Sequence, residues 1–282
     1  MRTGSIISVV AALALAACTN GDQVDTTTAT TTASPATTVT SSAPSTEGSA
    51  PTDEVVVYVA MGDSGNFSPG PPTGAIYQYA ELLSDDLGTE IQLRNHTQGG
   101  QHASQLLSQL RTNARWRADL ASADAVTLSI PIDVWVRPFQ IVSGWEGLDP
   151  AECGGPEQTE CLQDALALYT THTDEILDEL TAICDPDEVM IRMWNTYMLN
   201  IGYKLEVGSL DTINPFWQAA AEHVEQSAAR YGIPVADTYS AFNGPDGTED
   251  PYLTGLIEDD QLHPTTEGSA LIAELLYDAS TY

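Results

Sequence analysis

Residues 55–66, VVVYVAMGDSGN, constrain the fold more than any other stretch of the chain. Four of the first five residues are Val and the other is Tyr, with no polar residue between them. A short apolar run without alternation reads as a strand buried on both faces, as in a parallel sheet covered by helices. It stops at Gly62-Asp63-Ser64-Gly65, small and polar residues that suit a tight turn, and a helical pattern follows from about residue 74 to 87. A serine at the carboxyl end of such a strand stands where open α/β sheets build their sites. Its hydroxyl is a weak nucleophile alone, so chemistry there requires a base and an orienting acid from elsewhere.

The rest of the chain alternates in kind. Residues 90–95, 125–130, 188–194 and 233–237 read as further strands, the first of them near a sheet edge. Residues 103–118, 162–183, 214–231 and 265–279 carry helical patterns, and Gly232 is a stop signal for the third. Strands alternating with helices argue for βα units and a parallel sheet of about five strands. Residues 138–163 read as a long loop rich in Gly, and 195–212 as irregular.

Residues 1–18 read as a secretion signal, with Arg2 as the positive segment and a mostly apolar run behind it. Leu15-Ala16-Ala17-Cys18 resembles a bacterial lipobox, which implies that Cys18 becomes a lipid-modified N-terminus and anchors the exported protein to a membrane. Residues 19–53 are dominated by Thr, Ser, Ala and Pro and cannot bury enough surface to offset ordering entropy, so a disordered tether is expected. A flexible chain of that length reaches roughly 30–35 Å. Residues 54–282 are then the folded domain.

The base and acid are found near the C-terminus. Asp260-Gln261-Leu262-His263-Pro264 precedes the last helical pattern. With Gly62-Asp63-Ser64 at one end and Asp260-x-x-His263-Pro at the other, the domain resembles the GDSL/SGNH hydrolases. That resemblance implies a three-layer α/β/α sandwich of flavodoxin-like type and hydrolysis of an ester or amide. It makes Ser64 the nucleophile, His263 the general base and Asp260 the acid that orients it. Asp63 is read as structural, bonding turn amides. No cofactor is implied.

Family members hold the oxyanion with the nucleophile's own N–H, a glycine of a second block and an asparagine of a G-x-N-D block. Asn95 followed by Gly100 resembles the second block, so the resemblance makes Gly100 the second donor, with Gly99 the adjacent alternative. The third block departs from the pattern: Ile130-Pro131-Ile132-Asp133 keeps the acid but places Ile132 where the asparagine belongs. An isoleucine side chain cannot donate. Gln98, His102, Asn195 and Thr196 are the replacement donors considered from sequence.

With Cys18 set aside, Cys153 and Cys161 bracket a Gly-rich segment, and a local disulfide between them is expected in an exported protein, leaving Cys184 as a buried thiol. Pairing with Cys184 remains open at this level. His96, His102, His172 and His223 are assigned to surface or packing roles, and no metal-ligand spacing appears. Trp135, Trp145 and the 153–161 loop are candidates for a cleft wall, with ordinary packing the favoured alternative. The chain carries 40 acidic residues against 9 basic, with Lys204 the only lysine. That balance argues against nucleic acid as a partner. It reads as a heavily solvated acidic surface, with adaptation to high salt as the sharper alternative. The expected function is a lipid-anchored, exported serine hydrolase acting on a small-molecule or glycan-borne ester. A binding lipoprotein of the same fold with weak or lost catalysis, or a transacylase, is the alternative.

Overall fold

The computed structural model describes residues 55–279, so the signal-like segment, Cys18 and the tether lie outside the described residues. Strand β1 (Val56–Met61) is the hub of the sheet. It pairs in parallel with β2 (Ile91–Asn95) on one side and β3 (Ala125–Ser129) on the other. Strands β4 (Met190–Trp194) and β5 (Val235–Ala236) extend the sheet beyond β3, also in parallel, giving the order β2-β1-β3-β4-β5. Successive side chains of a strand point to opposite faces. Val59 and Met61 therefore enter one core, while Tyr58 and Ala60 enter the other, and all four are fully buried. Burial on both faces explains the unbroken apolar run.

Helices α2 (Ala103–Thr112), α3 (Ala114–Leu120), α4 (Asp133–Val142) and α5 (Glu160–Thr181) cover the face of Val59 and Met61. The short α6 (Ile201–Val207) and the long α7 (Leu210–Ala229) complete that layer. The opposite face is covered by α1 (Ala75–Leu87) and α9 (Thr266–Asp278), which pack on each other beside Phe242 of α8 (Thr238–Asn243). The three-layer α/β/α arrangement expected from the sequence is the one observed.

Several local expectations change. The single helix expected over 103–118 is two, because Asn113 breaks it and its side chain accepts from the N–H groups of Arg115 and Trp116 to cap α3. The loop expected over 138–163 is shorter, since α4 runs to Val142 with Pro138 inside it. Burial of Trp135 and Ile141, with Phe139 packed against the same core, outweighs the proline's missing donor. What remains between α4 and α5 holds two 3-10 turns (Trp145–Gly147 and Pro150–Cys153) and a disulfide joining Cys153 to Cys161, Cα atoms 4.8 Å apart. Cys184 is a free, buried thiol that donates to the Leu120 carbonyl. Helix α6 arises within the stretch 195–212 expected to be irregular, and α8 follows β5 directly; both are too short to show a period.

Connections from β1 lead to both sides of the sheet, so the switch in strand order falls between β1 and β3, where open α/β folds form a crevice. Gly62 makes the turn out of β1 with φ +131°, and a Cβ there would lie 2.4 Å from Ser129 Oγ and 2.5 Å from Asn66 Nδ2. The Asn66 amide fills that space instead, donating to Ser129 Oγ at 2.8 Å and to the Asp63 carbonyl at 3.1 Å. Gly62→Ala is therefore expected to cost roughly 1–3 kcal/mol through a forbidden φ and a steric clash. Urea unfolding measures this, and an unchanged midpoint would show that the turn accommodates a Cβ.

Candidate active site

Four carboxyl-terminal strand ends deliver residues to one cleft. Ser64 opens a 3-10 turn (Ser64–Asn66) just past β1, and Asp63 caps it by accepting from the Gly65 N–H at 3.1 Å. The chain past β2 stays alongside β1, with His96 N–H donating to the Ala60 carbonyl and Gln98 N–H to the Gly62 carbonyl. It then turns at Gly100, whose φ of +65° suits glycine, and the Gln101 N–H closes the turn on the Gln98 carbonyl. Ile132 and Asp133 follow β3; Thr196, Tyr197 and Leu199 follow β4. Together with Ser64, Gly65, Gly100, Gln101, His102, Leu262 and His263, these residues line a cleft of about 370 Å³.

The acid and base arrive on a local turn before α9. Asp260 Oδ1 accepts from the N–H groups of Leu262 and His263, both at 2.9 Å, with Gln261 held at a left-handed φ of +61°. This Asx-type turn is the physical content of the D-x-x-H spacing, since it frees Oδ2 to meet the His263 ring. The turn is braced from outside: an isolated bridge joins Ile257 to Pro264, and Tyr197 donates its hydroxyl to the Leu262 carbonyl at 3.1 Å. Tyr197 is itself buried and stacked on Phe242 with ring centroids 4.5 Å apart.

Asp260 Oδ2 lies 2.6 Å from His263 Nδ1, and His263 Nε2 lies 2.8 Å from Ser64 Oγ. An ionised carboxylate only accepts, so Nδ1 carries the proton and Nε2 is left to accept from the serine hydroxyl. Partial burial works against the Asp260 charge, but the His263 ring and the two backbone N–H groups outweigh it and hold the pKa below the ordinary carboxylate range. At Asp63, burial wins and raises the pKa, against opposing help from the N–H groups of Gly65 and Ile132 and from His263. Asp63 thus ties the nucleophile turn to the segment past β3, the structural role expected of it.

Among the described residues the Gly100 N–H has no acceptor, and Gly100 borders the same cleft as Ser64. Ile132 borders the cleft, and its side chain, packed in part against the core, brings no donor. Of the replacement donors considered from sequence, Gln98 is exposed and Asn195 is spent on Glu225, Asp237 and Tyr239; neither lines the cleft. His102 and Thr196 do line it. His102 Nδ1 is 2.8 Å from Asp133 Oδ2, and Thr196 is bonded to the Tyr169 phenol. Sequence reasoning passed over Gln101, whose signal was only its place next to Gly100. Gln101 is 3% exposed, and among the described residues neither its Oε1 nor its Nε2 has a hydrogen-bond partner.

The other expectations for the cleft fare differently. Trp135 is buried in the core against Phe139, Tyr169 and Trp217, and Trp145 packs on Tyr203. Neither they nor the disulfide loop border the cleft, which leaves packing as their role. Its apolar surface comes instead from Ile132, Val136, Trp194, Leu199 and Leu262. His96 stacks on Trp116 and contacts Asp119; burial chiefly lowers its pKa. His223 Nε2 meets both Asp174 Oδ1 and Ser227 Oγ, and because one ring nitrogen serves both partners the imidazole cannot pass a proton between them. Among the described residues, no group of three or more His, Cys, Asp or Glu is placed to hold a metal ion. Lys204 is buried behind the cleft wall, where burial lowers its pKa to about 7 against the opposing charge of Asp250.

The Asp260 charge is stabilised in the fold, so its contribution is fully present above the unfolded carboxylate pKa of about 4 and disappears as pH falls through the lower folded value. The stability gap between wild type and Asp260→Asn is accordingly expected to narrow below about pH 4. Urea midpoints of the two proteins across pH 2.5–7 check this, and a gap that widens in acid would contradict it.

No family model and no curated protein matches the chain. Solved structures do. A lipase from a goat rumen metagenome superposes with a TM-score of 0.61 at 19% identity, covering 79% of this chain and 97% of its own. An acetyl-xylooligosaccharide esterase from Geobacillus stearothermophilus gives 0.55 at 17% identity, with 80% and 94% covered. An alpha/beta hydrolase from the metagenome of Lake Arreo, Spain, gives 0.53 at 17% identity, with the same coverage of 80% and 94%. With its five parallel strands and flanking helix layers, the described domain has the α/β/α fold expected from its resemblance to the GDSL/SGNH hydrolases.

Proposed function

We propose that this chain is a serine hydrolase that cleaves carboxylic esters through an acyl-enzyme on Ser64. The observation that carries the reading is the unbroken relay from Asp260 through His263 to Ser64, at 2.6 and 2.8 Å, opening onto the cleft. His263 Nε2 takes the Ser64 proton as Oγ bonds to the ester carbonyl carbon. The resulting oxyanion is held by the N–H groups of Ser64 and Gly100. Collapse breaks the C–O bond, and His263 returns its proton to the departing alcohol. Water then attacks the acyl-enzyme, with His263 as base again, and the acid leaves as Ser64 regains its proton. Asp260 stabilises the imidazolium formed in each half.

Substrate class follows from the lining. The cleft volume lies near the low end for small-molecule sites, and its walls are mostly apolar, which favours a short acyl group. The net charge of −31 disfavours anionic substrates at low ionic strength. The esterase and lipase neighbours agree with this class of chemistry. Export and anchoring through a lipid on Cys18 belong to the same proposal and rest on the lipobox-like Leu15-Ala16-Ala17-Cys18.

One observation favours a second reading. Ile132 removes a side-chain donor from the oxyanion site, and loss of one such donor typically costs a factor of roughly a hundred to a thousand in kcat. A binding lipoprotein with residual catalysis would tolerate that loss; a transacylase, in which a sugar hydroxyl outcompetes water, is a variant of the first reading and passes through the same oxyanion.

The deciding experiment compares wild type with Ser64→Ala for hydrolysis of p-nitrophenyl acetate and butyrate and for labelling by a fluorophosphonate. Both signals are expected in wild type and absent from the variant. A folded wild type that shows neither would turn the assignment toward the binding lipoprotein. For the anchor, Cys18→Ser is expected to move the protein from the membrane to the soluble fraction and to abolish incorporation of labelled fatty acid. Persistent incorporation would refute lipidation at Cys18.

A further inference from the structure

Two potential donors on the cleft wall are already committed, His102 Nδ1 to Asp133 and the Ile132 N–H to the Asp63 carboxylate, while the Thr196 hydroxyl meets the Tyr169 phenol. Gln101 is not committed. It directly follows Gly100 on the turn that reaches the nucleophile, lines the same cleft as Ser64 and His263, and is 3% exposed with both side-chain polar atoms unpartnered. A buried primary amide without a partner destabilises a fold, and an apolar side chain of similar size would pack there at less cost. The amide is therefore kept for something that enters the cleft. An amide Nε2 is also a donor of the kind the site lacks, since amide side chains serve in oxyanion sites. Both amide atoms are closed off from solvent, so Nε2 reaches an oxyanion by a turn of the side chain into the cleft.

We propose that the Gln101 side chain is the third oxyanion donor. Its Nε2–H bonds the carbonyl oxygen as it becomes the tetrahedral oxyanion, together with the N–H groups of Ser64 and Gly100. A donor from the loop after β2 replaces the one that Ile132, on the loop after β3, cannot supply. The proposal rests on the acyl-enzyme reading for Ser64, and its test separates the two.

Full-length Gln101→Leu and Gln101→Met are compared with wild type and Ser64→Ala for p-nitrophenyl acetate hydrolysis, thermal unfolding and inhibition by a trifluoromethyl ketone. That inhibitor adds to a serine to form a hemiketal oxyanion. An oxyanion donor predicts a kcat lower by roughly 10²–10³ with little change in KM. Inhibitor affinity should fall by a comparable factor, because the hemiketal carries the same charge. Tm should hold or rise, since the substitution removes an unpaired buried amide. A kcat within about threefold of wild type, or a loss confined to KM, overturns the assignment. A Tm that drops in both variants along with kcat also overturns it, by showing that the amide serves the fold. Activity that survives Ser64→Ala would instead bring down the serine mechanism itself, an outcome the Gln101 variants do not mimic.

Discussion

Everything at the cleft depends on β1 being paired on both edges and buried on both faces. Its register with β3 sets Met61 beside Leu128, so the turn at Gly62 and the exit of β3 at Ser129 occur at one level. The two exits are then bonded together, Asn66 to Ser129, in the space that a Cβ on Gly62 would occupy. Parallel pairing makes such a gathering unavoidable, because every strand ends on the same side. The nucleophile turn, the Gly100 turn and the Ile132 segment meet there without any of them being close in sequence.

The C-terminal turn joins this assembly from the other layer. Ser64 and His263 are 199 residues apart, and their hydrogen bond requires that α9 pack on α1 and that the turn before α9 be rigid. Rigidity comes from inexpensive local devices: Asp260 accepting from two backbone N–H groups, Thr265 capping α9 through the Gly268 N–H, and Tyr197 holding the Leu262 carbonyl. Each leaves the reacting atoms free while fixing the atoms behind them. Preorganisation of this kind is what a proton relay needs, since a small misplacement at the reacting centre is costly in rate.

Polar satisfaction shows where the domain gives up stability at its cleft. The deep network around Asn195 is saturated, with bonds to Glu225, Asp237, Thr238 and Tyr239. The Gln101 amide, equally buried, is left unpaired at the cleft. Buried amides are ordinarily paired, so an exception beside a nucleophile is more informative than one elsewhere. The same asymmetry appears in charge: Asp63 is raised by burial and Asp260 is held low by hydrogen bonds, so two aspartates of one cleft do different work.

Much of this was legible in the sequence. The unalternating run of β1 required a strand with two covered faces, and the βα alternation behind it required parallel pairing; both are statements about where apolar side chains go. Ser64, Asp260 and His263 were nameable because Gly62-Asp63-Ser64 and Asp260-x-x-His263-Pro together resemble the motifs of the GDSL/SGNH hydrolases. Boundaries set by a competing local bond were not legible, as at Asn113, where a side-chain cap splits a helix that periodicity would continue. Helix α4 was hidden by Pro138, whose cost is local while the burial that outweighs it comes from the core. The resemblance to the GDSL/SGNH pattern implied that the oxyanion site lacks its asparagine at Ile132, but not which group stands near enough to replace it. That depends on which donors other elements have already taken, at His102 and Asn195, and on which remains buried and unpaired among the described residues, at Gln101. Local preferences are written along the chain, whereas the partner of a buried polar group is decided only when distant segments close around it.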